Sequence, residues 1–351
     1  MSNLDRKPPE ITCAAGAASG VEVMVPREVP LGGLRAMTVR RTLPQRQRSL
    51  IGAWCFVDHY GPDRVADTGG MNVAPHPHTG LQTVSWLFEG EIEHRDSAGN
   101  HAMVRPGQVN LMTAGRGISH SEVSTPEATT LHGAQLWVAL PDADRHTDPG
   151  FVHHEPPLLE GDGWTARVLL GSLLGDTSPV PTYTPLLGAE LRLGPDTGVS
   201  LEVDPDFEHG VLVDAGPLTV GGVEAKPADL AYVPPGGDRL ELRSYDEEVR
   251  LLLLGGPPFG EPIVMWWNFV GRSHEEIVAF REEWQAQITA EDGTEVDPDR
   301  AGGLREGDGE APRVVADTQD SRDGRFGIVV GDHLPPVPAP ALPNARLRER
   351  R

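Results

Sequence analysis

Residues 75–86 read PHPHTGLQTVSW, residues 87–100 read LFEGEIEHRDSAGN and residues 101–122 read HAMVRPGQVNLMTAGRGISHSE. Asp96 to Asn100 are turn formers, Pro106-Gly107 makes a corner, and Gly115 and Gly117 make another. Short apolar runs separated by such punctuation read as antiparallel strands. On a strand, residues i and i+2 share a face and stand ~6.5–7 Å apart along the backbone. His76 and His78 are spaced so, and so are His120 and Glu122. Each pair therefore aims two donor groups in one direction.

The same alternation extends outward. VEVMVP (21–26), MTVRRTLP (37–44), LIGAWCFVDHYGP (50–62) and LHGAQLWVAL (131–140) are strand-like. FVHHEPPLLEGDG (151–163) reads as a linker, which places a boundary near residue 155. Beyond it ARVLLGS, AELRLG, VSLEVD, RLELRS and VRLLLLGG follow. The segments 88–115 and 213–237 share one rhythm of strand, Gly turn, strand, Pro corner and strand, as a domain duplication would produce. Residues 1–20 form a lead-in, 21–155 a first domain and 156–290 a second. Residues 273–289 predict a helix with Ser273 as N-cap, Glu276 at the capping-box position, and Ile277, Phe280, Trp284 and Ile288 on one face, expected to dock on the second domain. Residues 291–351 read as an acidic, then Pro-rich tail, extended and partly disordered.

The formal charge of −22 would repel a phosphate backbone, so direct nucleic-acid binding is disfavoured. Cys13 and Cys55 are too few for a disulfide framework. The N-terminus lacks an apolar signal core and no run reaches the length of a membrane span, so a cytoplasmic protein with no membrane partner is expected.

Two facing pairs inside a barrel would offer three imidazole nitrogens and one carboxylate, with open positions left on an octahedral ion. Without a thiolate this set suits Fe(II), Mn(II), Co(II), Ni(II), Cu(II) or Zn(II), and donor identity does not choose among them. The remaining histidines His94, His101, His132, His146, His153, His154 and His209 read as hydrogen-bonded core or surface residues. If the duplicated halves are aligned on their corners, positions 76, 78, 120 and 122 fall on Glu202, Asp204, Glu241 and Arg243. The second half then carries no imidazole pair.

Together with DHYGP at 58–62, the stretch from His76 to Glu122 resembles the pirin family over about residues 20–290. The resemblance implies an all-β bicupin fold: two cupin-type antiparallel β-barrels with one C-terminal helix and an extended tail. It also implies an iron centre, Fe(II), on His76, His78, His120 and Glu122. Where cupins in general carry a glutamate shortly after His-x-His, Gln82 and Thr83 stand here; in pirins the carboxylate comes from the later motif. Two activities are implied. One is quercetin 2,3-dioxygenase-type cleavage of a small aromatic substrate by O2 with Glu122 as the catalytic base; Trp54, Phe56, Trp86 and Met112 are candidate pocket walls, core packing being the competing reading. The other is a metal- or redox-sensing regulator that binds a protein partner. A cupin isomerase or storage-type binder would need the same site with a different pocket. The family also implies a monomer.

Overall fold

The computed structural model describes residues 20–31, 37–289 and 324–350. The expected lead-in up to residue 19, Cys13 included, and the acidic stretch 290–323 lie outside the described residues. The period-2 pattern sets the strands: Ile92–Asp96 buries Ile92, His94 and Asp96 and leaves Glu93 and Arg95 half-exposed.

Each half consists of two antiparallel sheets. In the first half a seven-stranded sheet runs in spatial order Gly150–His154, Val109–Thr113, Leu81–Glu89, Thr130–Ala139, Trp54–Arg64, Met37–Leu43, Arg27–Leu31. Its companion has four strands, in order Asn72–His78, Ile118–Ser124, Ile92–Asp96, His101–Val104. The second half repeats the plan with one seven-stranded and one four-stranded sheet. The duplication read in the sequence is thus a duplication of architecture. Each half is a jelly roll of paired antiparallel sheets, the cupin-type fold expected, and among the described residues no hydrogen-bonded ladder closes the two sheets into a continuous barrel.

Several boundaries differ from expectation. Glu22–Met24 pairs with Leu230–Val233 and so belongs to the second half, although its sequence was assigned to the first. The expected linker is mostly strand: Gly150–His154 pairs with Val109–Thr113, and Leu159–Gly161 pairs with Trp164–Leu170. The helix His274–Ile288 has Ser273 as its cap, accepting from Glu276 N at 3.2 Å, and buries Ile277, Phe280 and Trp284. It packs on the Val264–Trp266 and Phe269–Gly271 hairpin, which bonds to the first half through Val270 N to Thr79 O at 3.1 Å. The helix therefore docks on this hairpin, which lies against the first half, and not on the sheets of the second half where docking is expected. Its apolar face attracts the described tail as well: Trp284 Nε1 donates to Val337 O at 2.8 Å, while Val337 N donates to Pro75 O at 2.8 Å. Residues 324–350 are thereby packed, not loose.

The halves share a core that includes Trp54, Val84, Trp86, Leu136, Leu170, Leu212 and Leu252. Trp54 Nε1 donates to the carbonyls of Leu187 and Gly255, each at 3.2 Å, and Trp86 Nε1 donates to Glu190 Oε2 at 2.7 Å. Gly52, at φ +52°, lets the backbones meet; a Cβ there would lie 2.8 Å from Gly256 Cα. At another point of the interface Asp214 Oδ1 accepts from His59 Nε2 and His132 Nε2, both at 2.6 Å, and Asp214 Oδ2 accepts from Arg250 Nε at 2.5 Å. Burial alone would raise the Asp214 carboxyl, but these hydrogen bonds hold it well below the usual carboxylate range. Burial lowers His59, with its bond to Asp214 opposing.

Removing one member of such a buried pair strands its partner. Asp214→Ala is expected to cost about 3 kcal/mol of stability in a denaturant titration, and wild-type stability would contradict the clasp. Below about pH 6.5 the unfolded chain protonates His59 while the fold keeps it neutral, so stability falls as pH drops through that value. His59→Gln is expected to flatten this part of the stability profile; an unchanged slope would count against it.

Candidate functional site

The four-stranded sheet of the first half turns three i, i+2 pairs to one buried face: His76 and His78, His120 and Glu122, and His94 and Asp96. The strand Ile118–Ser124 lies between the other two. His120 stands opposite His76 on one side and Asp96 on the other, while Glu122 stands opposite His94. The ladder to Asn72–His78 slips between His120 and Glu122, which then faces Val73.

Three imidazoles converge. Ring centroids lie 4.3 Å apart for His76 and His120, and 5.0 Å for His78 with either. One nitrogen of each lies within 4.8 Å of the other two. His76 Nδ1 is 2.9 Å from Ala74 O, and His78 Nδ1 is 3.0 Å from Asn268 O. A carbonyl can only accept, so both Nδ1 atoms carry the proton and both Nε2 atoms present a lone pair. The Nε2 atoms of His76, His78 and His120 are all buried and have no hydrogen-bond partner among the described residues. A buried polar atom left so costs ~1–3 kcal/mol, and three facing one another match the donor set of a divalent ion. Burial pushes His78 down to about 3 and takes His76 and His120 well below the usual imidazole range. All three are then neutral at physiological pH, the form that binds metal.

Glu122 is 1 % exposed. Its carboxylate lies within 4.8 Å of ligating nitrogens of His94 and His120, so it borders the trio from the His120 side. Ser85 Oγ donates to Glu122 Oε1 at 3.1 Å and lies 2.9 Å from the Gln135 amide. Ser85, Gln135, Asp58 and Arg41 are successive cross-strand neighbours, and Arg41 closes the row with a two-pronged ion pair to Asp58 at 2.6 and 2.7 Å.

The expected walls divide. Phe56 stacks on Trp137 at 4.0 Å, Trp137 meets His78 edge-on at 5.0 Å, and Met112 belongs to the same cluster. Trp54 and Trp86 instead point into the interface between the halves. For Trp86 the reason is alternation with Ser85. For Trp54 it is an irregularity that places Phe56 opposite Trp137 but Trp54 opposite Val138, so that two residues of one strand span one of the other.

His94 is the hydrogen-bonded core histidine expected, while Asp96, Trp137 and Asn268 carry no expectation at the site from the sequence. His94-x-Asp96 repeats the spacing of the other pairs, and that was a usable signal. Asn268 contributes a backbone carbonyl, which no side-chain pattern reveals. His59 and His132 meet Asp214, but their Nε2 atoms are already bonded and Arg250 occupies the carboxylate, which leaves little room for a cation.

Residues 36–138 match the family model described as Pirin, and residues 188–289 match that of the Pirin C-terminal cupin domain. A Pseudomonas aeruginosa protein, provisionally named a quercetin 2,3-dioxygenase, is 48% identical over 260 residues, 74% of this chain and 82% of its own. A pirin-like protein of Caulobacter vibrioides is 38% identical over 71% of this chain and 88% of its own. The crystal structure of a quercetin 2,3-dioxygenase from Acinetobacter baumannii superposes with a TM-score of 0.79 at 37% identity, covering 94% of this chain and 97% of that one.

The double substitution His76→Ala/His78→Ala is expected to abolish Co(II) binding in calorimetry while the metal-free protein keeps its fold. Wild-type affinity in that variant would remove the basis for a metal centre here.

Proposed function

The chain belongs to the pirin family, and from that premise we propose that it is a metal-dependent dioxygenase of the quercetin 2,3-dioxygenase type, opening the ring of a flavonol or similar enol with O2. In this reading His76, His78, His120 and Glu122 hold the ion. The observation that carries it is the set of three buried Nε2 atoms that face one another and have no hydrogen-bond partner among the described residues. The activity in the names of the Pseudomonas and Acinetobacter relatives supports the substrate class. Fe(II) is the ion we assign on the family resemblance; the donors also suit Mn, Co, Ni, Cu or Zn.

Bound there, such an ion supplies Lewis acidity toward the enol hydroxyl and the redox capacity that reaction with O2 requires. The chain's own groups do the rest. Glu122 accepts the hydroxyl proton, and Ser85 aims its carboxylate. Trp137 and Phe56 offer a stacked apolar surface beside His78 for a planar aromatic substrate. No described helix is long and apolar enough to cross a membrane. Cys55 is a buried thiol pushed up to about 12 by burial, and a cytoplasmic setting fits it.

Protein loaded anaerobically with iron and mixed with quercetin and O2 is expected to bleach the flavonol absorbance and release carbon monoxide. Glu122→Gln should slow this by ~10²–10⁴-fold, as loss of a general base does. Absence of turnover with iron and with each of the other fitting metals would overturn the proposal.

A further inference from the structure

We infer that His94 and Asp96 are a positioning pair that fixes the tautomer and direction of His120; the inference rests on the metal-site reading above. His120 Nδ1 lies 3.4 Å from His94 Nδ1, and His94 Nε2 lies 3.3 Å from Asp96 Oδ2. If His120 presents the Nε2 lone pair to an ion, its proton sits on Nδ1. That N–H can be received by His94 only if His94 Nδ1 is unprotonated. The His94 proton then lies on Nε2 and is donated to Asp96. The polarity of the chain is fixed at every link.

Asp96 is itself anchored. Its Oδ1 accepts from Ala98 N, Asn100 N and Asn100 Nδ2, each at 3.0 Å, and its Oδ2 accepts from Asn100 Nδ2 at 2.9 Å. The turn Asp96 to Asn100, with Gly99 at φ +90°, thus holds the carboxylate in place. Phe151 lies against the His94 ring at 4.8 Å. His94 and Asp96 are 2 % and 3 % exposed, so bulk water does not substitute for either.

The three imidazoles are consequently unequal. His76 and His78 lean on neutral carbonyls, whereas His120 leans through a second imidazole on a carboxylate, which strengthens it as a donor. The duplicated sheet provides an internal comparison: its strand Leu218–Val220 buries a leucine and a valine, and its neighbour Arg239–Ser244 buries Leu240 and Leu242. The His-Asp pair occurs where the imidazole trio occurs and is missing where the trio is missing. His94 is close enough to His120 and Glu122 to be considered a ligand itself, but both of its nitrogens are already engaged.

The test is Co(II) binding followed by calorimetry and by the visible spectrum of the bound ion, with the melting point of the metal-free protein as control. His94→Ala is expected to weaken binding ~10–100-fold and to alter the spectrum. His94→Gln, which keeps an acceptor for His120 and a donor for Asp96, should recover affinity to within a few-fold. If His94→Ala does not fold, His94→Leu against His94→Gln makes the same comparison, and equal affinities in those two overturn the inference. Wild-type affinity and spectrum in His94→Ala overturn it also, while leaving the metal site standing. Failure of the site itself is distinguishable: the wild type would bind no Co(II), or would bind it no better than His76→Ala/His78→Ala, and the inference would fall with it.

Discussion

Three imidazole nitrogens sealed from water, with no hydrogen-bond partner among the described residues, are the constraint around which the candidate site is organised. A buried polar atom without a partner is unfavourable, and the fold places three of them face to face. Their opposite nitrogens are secured by Ala74 O, Asn268 O and His94. The rings are thus aimed before any ion arrives, which is what a preformed coordination site requires.

That aiming draws on the whole chain. The second half carries no imidazole on its corresponding sheet, yet the segment that follows it returns to the first half. Trp267, held at φ +52°, forms the turn that brings Asn268 O to His78. A non-glycine residue rarely adopts this conformation, and here it lies next to the group that orients a candidate ligand. The interface between the halves is fixed by Trp54, Trp86 and the Asp214 clasp. The tail and the helix close over the outside of the sheet that carries the site, where the Ser119 hydroxyl, on the face opposite His120, donates to Phe326 O at 3.0 Å. The second half and the tail thereby support the proposed centre, whose four candidate ligands all lie in the first half.

Much of this was legible in residue spacing. Period 2 put His76 with His78 and His120 with Glu122 on one face, and the structure brings those four side chains to one sheet. The same rule puts His94 and Asp96 on that face too, and His94 is there the hydrogen-bonded core residue expected, with Asp96 and His120 as its partners. Where the count along a strand slips by one, the rule inverts. Trp54 turned away from the site for that reason. Glu202, Glu241 and Arg243, matched by corner alignment to the ligand positions, are exposed, while their neighbours Leu201, Leu240 and Leu242 face inward. Contacts distant in sequence, such as Asn268 to His78 or Glu22–Met24 to Leu230–Val233, leave no local pattern, so neither the surface that receives the helix nor the partner of the first strand is legible in residue spacing.

Anomalous diffraction from a crystal of the metal-loaded protein addresses the central claim most directly. The account requires one strong peak bonded to the Nε2 atoms of His76, His78 and His120 and to a carboxylate oxygen of Glu122. A peak at His59, His132 and Asp214 instead, or none near the trio at full metal loading, would contradict it.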